Sequence, residues 1–172
     1  GNWVVASSQN LLTSTNNTPV SALFVVNLND SAEAMAVEIF TNPEPAPFGW
    51  DPLKACSRKD MLSPNPTPSY TSGDEECWYV NHQRLTRNDK TSKLRRDALD
   101  FAQARNLKLP VNALYVGYRI ADTQDFFTVR YFFNPEAKNL APPQYAGWRT
   151  SDWHRDRIQE FPKKQAYFKT IQ

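Results

Sequence analysis

Few side chains in this chain have types and spacing suited to chemistry, and each grouping also has a plainer reading. Ser151-Asp152-Trp153-His154-Arg155-Asp156 sets a histidine among carboxylates. Such a pair can serve as general base and orienter. On a helix, however, Asp152 and His154 point about 200° apart, and so do His154 and Asp156. The local spacing therefore builds no dyad. Asp152 and Asp156 share a face, which suits negative charge at a helix N-terminus. Cys77 with His82, or either cysteine with His154, could join a thiol nucleophile to a base. A bridge between Cys56 and Cys77 would abolish that role. No catalytic residue is expected on this basis. The enzyme reading that remains is a small hydrolase using His82 or His154 with a carboxylate brought near by folding.

Metal and cofactor chemistry has little to build on. There are 2 Cys and 2 His, with no CxxC and no HExxH, too few for a typical structural zinc site. Five scattered Gly make no phosphate-cradling loop. No metal and no cofactor is expected.

Binding is better supplied. Arg84, Arg87, Lys90, Lys93, Arg95 and Arg96 lie in one short stretch beside Trp78 and Tyr79, opposed within the stretch only by Asp89. Basic groups with aromatics can hold phosphate and stack bases. The same run also suits an acidic protein surface, or simply a solvated helix face. The C-terminal third adds Tyr145, Trp148, Trp153, Phe161, Tyr167 and Phe168. Tyr and Trp are enriched at interfaces, and they also fill the cores of α+β domains. The expected binding residues are Arg84, Arg87, Lys93, Arg96, Trp148 and Trp153. The expected partner is a protein, and nucleic acid is not favoured.

Composition narrows the class. The chain has 172 residues, with 20 basic and 18 acidic groups, a formal net charge of +2 and 13% aromatic content. That length can bury a sizeable core, and one domain over 1–172 is expected. The aromatic content argues against disorder, and the net charge argues against a strongly basic nucleic-acid binder. No apolar run approaches the length of a membrane span. Yet the charge is divided. Residues 1–76 carry 3 basic and 9 acidic groups, and residues 77–172 carry 17 and 9.

Twenty residues separate Cys56 from Cys77, and they are rich in Pro, Ser and Thr. A disulfide there would tie a segment with little means of ordering itself, worth about 3 kcal/mol on the loop-entropy model. It would also imply an oxidising compartment. The chain begins at Gly1 with no leader of signal-peptide type, as a mature or truncated ectodomain would. Asn16-Asn17-Thr18 and Asn29-Asp30-Ser31 match the glycosylation motif, which is short enough to arise by chance.

The elements that must position these groups follow from periodicity. Ser7 to Thr18 reads as a polar loop, and Val20 to Leu28 as a buried strand. Ala32, Met35, Ala36, Ile39 and Phe40 recur at helical spacing, with Asp30 and Glu33 placed as a capping box. A helix is predicted there over the rival strand from Ala34 to Thr41. Seven of 13 prolines fall between Asn42 and Asp74, which excludes long helices and central strands. Residues 42–76 thus form a Pro-rich excursion. Trp78-Tyr79-Val80 reads as a short strand. Thr91 or Ser92 caps a helix presenting Leu94, Ala98, Phe101 and Ala102, and Asn106 stops it. Residues 113–120 and 127–133 alternate as an antiparallel hairpin. Ser151 is placed to cap a helix through Ile158, and Pro162 to open another.

The expected fold is α+β: a mostly antiparallel sheet of about four or five strands against two to four helices, with a long Pro-rich loop. The expected function is a non-catalytic interaction domain, periplasmic or otherwise extracytoplasmic. It would belong to a bacterial, membrane-tethered protein.

Overall fold

A computed structural model describes residues 2–13, 17–29, 32–47, 49–50, 56, 58–59, 65–67, 75–88, 91–140 and 147–171, with backbone alone at 65–67 and 148. Lys90, Tyr145, the side chain of Trp148 and most of the Pro-rich excursion lie outside the described residues.

Seven strands form one sheet: β1 (Trp3–Leu12), β2 (Pro19–Asn27), β3 (Ala34–Thr41), β4 (Asn65–Thr67), β5 (Glu75–Arg84), β6 (Asn112–Ala121) and β7 (Phe126–Phe133). Six are long, and β4 has three residues. Their spatial order is β1-β2-β3-β7-β6-β5-β4, and every neighbouring pair is antiparallel. The first three strands meander. The chain then crosses to the far side of the sheet, and the β6–β7 hairpin fills the gap. Two α-helices accompany the sheet, α1 (Lys93–Ala104) and α2 (Pro162–Ile171), with three short 3-10 segments among the described residues.

Three local readings are corrected. Residues 34–41 are strand β3 and not a helix. Met35, Ala36, Val37 and Glu38 are buried in succession, because a central strand is covered on both faces and loses its alternation. Val37, Ile39, Phe40 and Thr41 are β-favouring, and two flanking strands supply the ladder. Residues 7–12 are the second half of β1 and not a loop. Ser8 and Asn10 face solvent while Ser7 is buried, so polar side chains sit mostly on the wet side of an edge strand. Residues 151–157 form turns, followed by a 3-10 segment at Ile158–Glu160. The Ser151 hydroxyl accepts the Trp153 N–H at 3.1 Å within a tight turn, without starting a helix. The short strand expected at residues 78–80 is ten residues long.

Other signals act as read. Ser92 is the N-cap of α1, its Oγ accepting from the Arg95 N–H. Leu94, Ala98 and Ala102 form the buried stripe. Asn106 follows the helix at φ 56°, a left-handed position that asparagine tolerates. The β6–β7 turn is held by Asp122, whose Oδ1 accepts the N–H groups of Gln124 and Asp125 at 2.7 Å. Those two bonds hold the Asp122 carboxyl below the usual carboxylate range. Trp50 packs on Phe126 at 4.2 Å between centroids, and its Nε1 donates to the Gln124 carbonyl.

The main core contains Phe24, Phe132, Tyr115 and Tyr79 with Leu94 and Ala98 of α1. Helix α1 lies over β1 and β2. Val80 and Leu114 side chains alternate to the opposite face and are fully buried, in one cluster with Trp153, Ile158, Tyr167 and Phe168. The sulfurs of Cys56 and Cys77 are joined, with Cα atoms 5.7 Å apart. Among the described residues no helix is long and apolar enough to cross a membrane.

Candidate binding groove

One cross-strand row organises the most unusual polar group in the molecule. Phe24, Glu38, Arg130, Gly117 and Tyr79 lie side by side across β2, β3, β7, β6 and β5. Glu38 is 1% exposed. Arg95 reaches it from α1 as a fork, Nε to Oε1 at 2.9 Å and Nη2 to Oε2 at 2.8 Å. Arg130 Nη1 donates to the same Oε2 at 2.9 Å. Two guanidinium groups thus share one buried carboxylate. Planar forks of this kind fix geometry as well as charge.

The rest of the row supports that arrangement. An added Cβ at Gly117 would fall 2.7 Å from Cε2 of Tyr79. The missing side chain lets the Tyr79 ring lie across β6, where its hydroxyl accepts from Arg130 Nε at 3.3 Å. Phe40 lies 5.3 Å from the Arg130 guanidinium and Phe132 5.9 Å from that of Arg95. Aromatic faces of this kind stabilise a cation. Burial opposes the charge on Arg130, but Tyr79 and Glu38 outweigh it and hold its pKa above the ordinary arginine value. Burial likewise pushes the Tyr115 phenol up, and Tyr79 beside it adds to the effect.

Above this row a groove of about 540 Å³ opens between the sheet and the start of α1. Its lining includes Arg84, Lys93, Arg95 and Arg130, with Glu38 as the lone carboxylate among the described lining residues. Lys93 is answered by Asp97 at 2.6 Å, and that bond is the main reason the Asp97 carboxyl lies below its ordinary value. Glu38 answers one of its two arginines. Among the described lining residues, the second arginine and Arg84 leave a positive surplus. Leu11, Phe24, Phe40 and Leu99 supply apolar wall. Before α1, Thr91 Oγ1 donates to the Thr86 carbonyl at 2.9 Å and accepts the Asn88 N–H at 3.1 Å.

Of the six residues expected to bind, Arg84 and Lys93 line this groove. Arg87 is outside it, paired with Asp100. Arg96 donates to the Thr91 carbonyl and is not among the lining residues. Trp153 is wholly buried, against Tyr167 at 5.9 Å, and offers no surface. The side chain of Trp148 lies outside the described residues. Glu38 and Arg130 carry a sequence signal of their own. Each is a charged residue inside an apolar strand, in Ala-Val-Glu-Ile-Phe and Thr-Val-Arg-Tyr-Phe. Since buried charges come paired, two such interruptions of opposite sign were the usable signal.

His154 has a carboxylate beside it. His154 is 7% exposed. Its Nδ1 accepts the Asp156 N–H at 3.3 Å and stands 3.5 Å from Asp156 Oδ2, a carboxylate that is itself largely exposed. Neither His82 nor His154 lines the groove. Among the described residues no group of three His, Cys, Asp or Glu could hold a metal ion. No protein-family model, curated protein or solved structure matches this chain.

Proposed function

We propose that this chain is a non-catalytic interaction domain that works outside the cytoplasm and receives an acidic segment of a protein partner in the groove at the start of α1. The observation that carries the reading is the surplus of positive charge there: two guanidinium groups on one buried carboxylate, with exposed Arg84 beside them. An uncompensated cation in partly dry surroundings favours a carboxylate ligand. The apolar wall favours a peptide over a free ion, because it gives flanking side chains something to cover. The Cys56–Cys77 bridge supports the compartment, since such bonds persist where conditions are oxidising.

The test is a titration of the oxidised chain with a labelled Glu-rich dodecapeptide, using a Lys-rich one as control. The Glu-rich peptide is expected to bind, with affinity falling as salt rises. Arg84→Glu is expected to weaken it by about tenfold or more, which is about 1.4 kcal/mol. Arg84 is exposed, so its replacement leaves the fold intact. Equal binding of both peptides, or no change in Arg84→Glu, would overturn the reading.

A further inference from the structure

The two edges of the sheet are treated in opposite ways. Beyond β5 the last strand is β4, which pairs with residues 76–78 of β5 and carries a proline, Pro66, opposite Cys77. A short, Pro-bearing terminal strand is a standard protection against pairing with another chain. The other edge is β1. It is ten residues long, Trp-Val-Val-Ala-Ser-Ser-Gln-Asn-Leu-Leu, with no charge and no proline. Among the described residues nothing pairs with its outer side. Its one protective device is a bulge between Val5 and Ser7, which leaves Ser7–Leu12 as a regular run. Leu11 and Leu12 are exposed within it, Leu12 at 65%.

We infer that β1 is a dimerisation edge, pairing antiparallel with β1 of a second copy of this chain. A second copy is the occupant the strand itself favours. A two-fold axis brings identical residues together, so a strand carrying charges would meet its own. This one carries none. Centred on Gln9, the pairing sets Ser7 of one copy against Leu11 of the other, and Ser8 against Asn10, with matching faces. The new ladder satisfies the outward N–H and C=O groups of both strands. Such an isologous contact closes at two copies.

Sedimentation of the oxidised chain across a concentration series tests this. The wild type is expected to pass from monomer to dimer. Ser8 and Asn10 are exposed, so Ser8→Lys with Asn10→Lys adds charge without burying it in the monomer. That variant sets like charges face to face and is expected to remain monomeric. Ser8→Glu with Asn10→Glu is expected to do the same, and an equimolar mixture of the two variants to regain the dimer. Circular dichroism establishes that each variant is folded. A wild type that stays monomeric up to about 1 mM, where association is worth only about 4 kcal/mol, would overturn the inference. So would a dimer that survives in the Lys variant, or a mixture that stays monomeric.

Discussion

Glu38 is the residue on which the groove depends. Among the described residues it is the one acid paired with Arg95 and Arg130, and it is almost wholly removed from water. Removing one partner of a buried ion cluster costs more than the cluster contributes, because the survivors are left unanswered. Glu38→Gln keeps the shape and deletes the charge, leaving two guanidinium groups to repel. The expected loss is about 3 kcal/mol of unfolding free energy, read from urea titration at neutral pH. A loss within about 0.5 kcal/mol, the range of surface substitutions, would show that the carboxylate is not what holds the arginines. This residue also marks the limit of what was legible beforehand. A charge inside an apolar run can be noticed from order alone. Which opposite charge it meets depends on strand register and on a helix 57 positions away, and no local pattern encodes either.

At the scale of elements, legibility followed the strength of the local signal. Helix α1 has a cap, a single apolar stripe and a left-handed stop, three independent cues that agree. The β6–β7 hairpin has two runs dense in β-formers around an Asp-bearing turn. Strand β3 lacked such agreement: its helical spacing came from burial on both faces, which erases the period that tells a strand from a helix. Residues 7–12 of β1 were missed for the opposite reason, since an edge strand needs little apolar content to pair. The segment between Cys56 and Cys77 has the weakest local signals in the sequence, and the bridge closes it into a loop. Cys56→Ser with Cys77→Ser is expected to lower stability by about 3 kcal/mol, measured as a shift in denaturant midpoint with the native bridge as reference. An unchanged midpoint would mean that the closed loop is ordered by other contacts.

Over the whole molecule, the near-zero net charge conceals a separation along the strands. Glu75 and Glu76 begin β5 and Arg84 ends it, about 30 Å apart at strand rise. Asp122 and Asp125 lie with the two glutamates around a second hollow at the β6–β7 turn, while the groove at the other end is basic. Global stability should also carry a pH signature from the core aromatics. The folded Tyr115 phenol has a raised pKa, so the folded state keeps its proton after the unfolded chain has begun to lose one. Stability from this group is full below about pH 10, the unfolded value, and declines as pH rises through the folded value. Tyr115→Phe is expected to flatten that decline above pH 10 in urea titrations. Parallel curves for the two proteins would remove Tyr115 as the cause. The pairing of Pro66 with Cys77 has a consequence on the same scale. The strand at the far edge and the bridge that closes its loop converge on one residue. Whatever displaces Cys77 therefore disturbs the strand pairing and the loop closure together.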